Sequence, residues 1–130
     1  MKNIEEARSY FQNDHFATEN GAVIEELGEN HAVCSLQLTE HHRNALGNVM
    51  GGVLFTLADF SFAVASNFGK RPTVSTSSQI TFLRAAKGNR LTARAEMIRE
   101  GRTTVYYEIS VFDEPGNLVA RVTASGNIVG

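Results

Sequence analysis

Asp59 is a carboxylate in the middle of a run, Val53 to Phe68, that is otherwise apolar or small. Burying an unpaired charge is costly, so such a group is normally paired, hydrogen-bonded or open to a cleft. At helical spacing its neighbours are Phe55, Thr56, Phe62 and Ala63, with Gly52 and Ser66 one turn further away. Gly52, Thr56, Asp59, Ala63 and Ser66 therefore form a narrow stripe of small and polar residues, along which a ligand or another backbone can come close. The plainer reading is an acid that faces solvent or caps a neighbouring element. Periodicity alone does not separate the two.

Gly51-Gly52 stands at the start of this run, after a loop from Asn44 to Met50. Two glycines leave the first-turn amides of a helix open, and those amides lack intrahelical partners and lie at the positive end of the helix dipole. They suit a developing oxyanion, a role worth roughly a few kcal/mol per donor. The alternative is a tight turn where loop and helix pack without room for side chains. Gly51 and Asp59 are eight positions apart, about 12 Å along a helix axis. That is too far for both to reach one carbonyl group within a chain. If they share a substrate, Asp59 of one copy must face Gly51 of another, with the two helices antiparallel across a two-fold axis.

The elements that position these residues follow from pattern. Residues 3–12 combine helix-forming charges with Tyr10 and Phe11 and predict a short docked helix. Ala22–Leu27 and His31–Leu38 predict strands joined at Gly28-Glu29-Asn30, the second alternating Cys34, Leu36 and Leu38 against Val33, Ser35 and Gln37. Thr39 to Asn48 is a polar loop. Val49 to Phe68 is the one long helical signal, about 18 residues or roughly 27 Å, ending at Asn67-Phe68-Gly69; it is apolar around most of its circumference and should be buried on more than one side. After Pro72 the segments 73–83, 90–100, 103–113 and 117–128 are rich in β-formers, with turns at Lys87-Gly88-Asn89, Gly101 and Glu114-Pro115-Gly116-Asn117. The expectation is an α+β domain spanning residues 1–130, an antiparallel sheet curled around a central helix, with no linker or repeat.

The chain has 130 residues, 42% hydrophobic and 20% charged, with a net charge of −2. That composition fits one globular core. Basic residues are dispersed among acids, which argues against a nucleic-acid surface, although local basic sites for a phosphorylated small molecule stay open. The polar start, Met1 to Glu6, lacks the apolar segment of a signal peptide. Thr56, Asp59, Ser61, Ser66 and Asn67 interrupt the longest apolar stretch, so no membrane span is expected. A single Cys34 excludes an internal disulfide and suits a reducing compartment; the expected location is cytoplasmic.

The run Asn44-Ala45-Leu46-Gly47-Asn48-Val49-Met50-Gly51-Gly52-Val53-Leu54-Phe55-Thr56-Leu57-Ala58-Asp59 resembles the signature of the PaaI-type (phenylacetate-pathway) hotdog thioesterases, which show Asn, a spacer, Gly, His-Gly-Gly and a helix carrying Leu-Ala-Asp. Ile80 to Ala86 with Gly88, Gly101-Arg102-Thr103 and Gly116 to Ala120 extend the likeness, which covers about residues 20–128. The resemblance implies a hotdog fold and hydrolysis of an acyl-coenzyme A without a cofactor. It implies Asp59 as general base or nucleophile, the Gly51 amide and Asn44 side chain as holders of the thioester oxygen, and Ser75 as a hydroxyl that places the attacking water. Gly52 and Met50 would line the substrate, with Arg84, Lys87, Arg90 and Arg102 as candidates for the coenzyme A phosphates. It implies homodimers, which in this family often pair into tetramers. One position departs: the family's His is Met50, whose side chain neither donates a hydrogen bond nor carries charge.

Other residues draw less. His41-His42 lie in a polar loop without further ligands at metal spacing, so they read as solvated and no metal is expected. Cys34 points inward on its strand and reads as core. Two rivals to hydrolysis are a non-catalytic acyl-CoA-binding domain, favoured by Met50, and a hydratase, which generally needs a catalytic His that the helix lacks.

Overall fold

The computed structural model describes residues 2–130; Met1, the first residue of the polar start, lies outside them. Two short helices, α1 (Ile4–Phe11) and α2 (His15–Glu19), precede strands β1 (Ala22–Leu27) and β2 (His31–Gln37). A single 3-10 turn, Glu40–His42, leads to the long helix α3 (Gly51–Asn67), followed by β3 (Thr73–Phe82), β4 (Arg90–Glu100), β5 (Thr104–Phe112) and β6 (Leu118–Ile128). The strands form one antiparallel sheet in the order β1-β2-β4-β5-β6-β3. This is the expected hotdog arrangement: α3 lies across the sheet, chiefly against β2, β4 and β5.

The core forms because α3 is apolar on three sides. Leu57, Ala58, Val64 and Ala65 are fully buried, as are the strand residues Cys34, Leu91, Ala93, Ile109 and Val111 that meet them. Small residues on the sheet (Ala32, Ala93, Ala95) let the helix sit close. The buried hydroxyl of Ser61 donates to the Leu57 carbonyl at 2.8 Å, so its polarity costs little. Within α3 only Gly52 and Asp59 are exposed, while Gly51, Val53, Phe55, Thr56, Ala63 and Asn67 are half-buried.

Two features differ from expectation. The helix begins at Gly51 rather than Val49, because Val49 bridges Arg43 and Met50 is extended, its N–H donating to the His42 carbonyl at 3.0 Å. Ser66, expected on the open stripe, is 2% exposed. The chain folds back over that end of α3: Asn67 Nδ2 donates to the Thr73 carbonyl and Thr73 N–H donates to Asn67 Oδ1 at 2.8 Å, tying the helix to the start of β3.

The sheet has two unlike edges. β1 is broken by a bulge between Ile24 and Glu26, carries Glu25 and Glu26, and has its Ile24 carbonyl occupied by the Arg8 guanidinium at 2.7 Å. β3 is open: its residues from Val74 to Gln79 are exposed on both faces, and Val74, Phe82 and Leu83 are half-exposed apolar side chains. Because Leu57 is buried at the centre of the helix–sheet contact, Leu57→Ala should lower unfolding free energy by about 2–5 kcal/mol in a urea titration.

Candidate active site

Asp59 projects from the open stripe of α3 into a groove of about 400 Å³. One wall is α3 itself, with Phe55, Thr56, Phe60 and Ala63; the other is α2 and its cap, with Asp14, His15, Phe16 and Ala17. Burial of the carboxyl against these largely apolar walls raises the Asp59 pKa above its ordinary value of 3.8, and the nearby Asp14 charge raises it further. Burial raises Asp14 as well, partly offset by His15. The arrangement is an acid with enhanced basicity in a concave, aromatic-lined space, the environment a general base or carboxylate nucleophile needs.

The remaining candidates lie elsewhere in the protomer. Neither Asn44, Gly51, Gly52 nor Ser75 lines the Asp59 groove. Gly51 and Gly52 occupy the first turn of α3, ahead of the first bond in that turn, Val53 N–H to the Met50 carbonyl at 3.0 Å. Their surroundings differ. A methyl group on Gly51 would come within 2.8 Å of the tip of the Phe82 ring, a half-exposed side chain that would have to shift, whereas nothing stands within 4 Å of the same position on Gly52. Met50, about half exposed, places no side-chain cap on the helix.

Asn44 organises its own loop. Its Oδ1 accepts from the Leu46 and Asn48 amides at 3.0 and 3.1 Å, which closes the loop and leaves the Nδ2 donors out of those bonds. Ser75 sits on the exposed edge strand beside a bulge between Ser75 and Ser77.

The four basic candidates do not form one cluster. Arg84 and Lys87 are exposed between β3 and β4. Arg90 pairs with Glu25 at 2.6 Å, and Glu25 also accepts from Ser35 Oγ. Arg102 lies in the turn at the opposite end of β4, about 33 Å of strand away from Arg90. A second cleft, of about 770 Å³, opens at the far end of α3 by Ser66, Lys70, Arg71 and Glu100, and shares no residue with the Asp59 groove.

Two other residues behave as expected or contrary to it. Cys34 is fully buried, its thiol pushed up to about 12 by desolvation, so it is core and not a nucleophile at neutral pH. His42, expected to be solvated, is 4% exposed. Its Nδ1 accepts from Thr39 N–H at 3.0 Å and its Nε2 meets the Asn20 carbonyl at 2.6 Å. No local pattern signals this burial, nor α2, which is too short to show periodicity.

The matched sequence now decides the family: residues 46–120, the stretch from the Asn44 loop through α3 to the start of β6, match the thioesterase superfamily. The chain belongs to the thioesterase superfamily. The acyl-coenzyme A thioesterase PaaI of Escherichia coli is 31% identical over 125 residues, covering 95% of this chain and 89% of that protein. The structure of E. coli PaaI superposes with a TM-score of 0.90 at 30% identity, covering 97% of this chain and 92% of that one. A hypothetical thioesterase protein from Streptococcus pneumoniae, solved with coenzyme A, superposes with a TM-score of 0.84 at 27% identity, over 92% of this chain and 97% of that one. Among the described residues no helix is long and apolar enough to cross a membrane.

The two acids give this superfamily member a testable pH signature. Hydrolysis that needs ionised Asp59 should fall on the acid side with a midpoint above the usual carboxylate range, since burial and Asp14 both raise that group. Asp14→Asn removes the smaller of the two causes. It should move the acid limb of the kcat/KM profile to lower pH without bringing it to the ordinary carboxylate value.

Proposed function

We propose that this thioesterase-superfamily enzyme hydrolyses an acyl-coenzyme A to the free acid and coenzyme A, with Asp59 as the reacting carboxylate at a site completed by a second copy of the chain. The observation that carries the proposal is Asp59 itself, a basic carboxylate standing in a groove on the one open stripe of an otherwise buried helix. Its similarity to E. coli acyl-coenzyme A thioesterase PaaI, and to a relative solved with coenzyme A, supports the substrate class.

In the proposed reaction Asp59 takes a proton from water as the hydroxide adds to the thioester carbon, or adds directly as nucleophile. The carbonyl oxygen becomes an oxyanion held by the Gly51 amide and Asn44 Nδ2. The intermediate collapses by breaking the C–S bond, and the coenzyme A thiolate leaves. On the general-base route it takes up the proton that Asp59 removed from water. On the nucleophile route it takes up a solvent proton, and water then hydrolyses the mixed anhydride on Asp59, releasing the acid and restoring the carboxylate. Gly52, open on its outer side, and Met50 leave room for the thioester to approach. Ser75 is assigned to the attacking water, and the exposed Arg84 and Lys87 are the better placed phosphate candidates. Arg90 is engaged by Glu25 and Arg102 is distant from the other three within one protomer.

The open β3 edge supports the two-copy site. A ten-residue strand paired with β6 on one side only, with half-exposed apolar side chains at its ends, is a template for pairing with another sheet. Antiparallel pairing of two β3 strands across a two-fold axis sets the two α3 helices antiparallel, and brings the acid of one copy toward the amides of the other. A non-catalytic acyl-CoA-binding role is the second reading. Met50 favours it, since a thioether at this position supplies no hydrogen-bond donor.

Thiol release from a panel of acyl-coenzyme A substrates separates the two readings. Asp59→Asn and Asp59→Ala should each lower kcat by about 10²–10⁴-fold with substrate binding retained; a wild-type protein that binds but releases no thiol supports the binding role. Sedimentation should give a mass of at least twice the 14.2 kDa of the chain. A 14.2 kDa species that still hydrolyses thioesters would overturn the shared site.

A further inference from the structure

Phe16 is an aromatic side chain that is 74% exposed, yet it stands in a concavity and not on an open surface. It faces the groove of Asp59 from a helix of five residues, too short to be stable alone. What fixes that helix is a set of hydrogen bonds around Asn20, its C-terminal cap. Asn20 Nδ2 donates to the Phe16 carbonyl at 2.7 Å. Asn20 Oδ1 lies 2.8 Å from His41 Nε2, and the Asn20 carbonyl lies 2.6 Å from His42 Nε2. Since His42 Nδ1 accepts from the Thr39 amide, its Nε2 carries the proton and is the donor to Asn20. Thr18 Oγ1 adds a tether to the Gln12 carbonyl at 3.1 Å.

We propose that Phe16 determines acyl specificity by walling the Asp59 groove, and that Asn20, gripped between His41 and His42, is the positioning residue that holds it there. The inference rests on reading the groove as the acyl side of a thioesterase site. The occupant is the apolar acyl group of the thioester: the space adjoins the reacting acid, and Phe16, Phe55 and Phe60 offer it aromatic surface. An acyl group long enough to pass Asp59 meets the Phe16 ring; an acetyl group does not reach it.

The clamp gives the proposal a signature beyond stability. Wild type, Phe16→Ala, Asn20→Ala and the double variant are compared on acetyl-, hexanoyl- and benzoyl-coenzyme A, with circular dichroism confirming the fold. Phe16→Ala should raise KM for hexanoyl and benzoyl substrates about 10-fold and change acetyl by less than about twofold, with kcat little altered. Asn20→Ala should reproduce that acyl-dependent pattern. The double variant should be no worse than Phe16→Ala, because both remove one wall.

The same comparison is made by calorimetry with non-hydrolysable thioether analogues of the three substrates, so that it reads out even where no thiol is released. Acyl-dependent affinity that requires Phe16 sustains the inference even if hydrolysis fails. Active enzyme with an unchanged acyl profile in Phe16→Ala overturns it and leaves the hydrolytic reading standing. A uniform loss across all three substrates in Asn20→Ala shows a merely structural clamp and overturns the positioning role. Analogue affinity indifferent to the acyl group, as expected if a second subunit covers Phe16, overturns the specificity role.

Discussion

The packing of α3 into the curve of the sheet is the contact on which everything else rests. A seventeen-residue helix buried on three sides cannot rotate without exposing Leu57, Val64 and their neighbours, so the direction of its remaining side is fixed. Asp59 inherits its aim from that constraint. No dedicated hydrogen bond needs to orient the carboxylate, because the core orients the helix that carries it.

The same constraint explains how one chain carries an enhanced base and a set of exposed amides without the two neutralising each other. The amides of Gly51 and Gly52 lie at the positive end of α3 and Asp59 lies two turns along. Kept apart on a rigid rod, the groups stay uncompensated. Low solvation, with Asp14 alongside, then raises the proton affinity of the acid.

How much of this was legible in the chain depends on the range of the interactions concerned. The strands and α3 were readable because alternation, turn markers such as Glu114-Pro115-Gly116-Asn117 and a long apolar run are local signals. The stripe containing Asp59 was readable for the same reason, as was the inward-facing Cys34. Ser66 escaped because its burial depends on β3 folding back through Asn67 and Thr73, which no helical wheel contains. His42 escaped because its partner is 22 residues away, and α2 because five residues span little more than one turn. The far wall of the groove is α2, tied through Asn20 to His41 and His42, so the sequence pointed to the acid but not to its enclosure.

The unlike edges of the sheet bear on how copies of this chain add to one another. A sheet adhesive on both sides can grow without limit, as fibrils do. Here β1 is bent by its bulge, charged, and stopped by a guanidinium on its carbonyl, which leaves adhesion to β3 alone. A body with a single sticky side joins one neighbour and is then spent. Strand pairing through β3 would thereby stop at two copies, and the long exposed edge would carry less of the hazard such a strand usually brings.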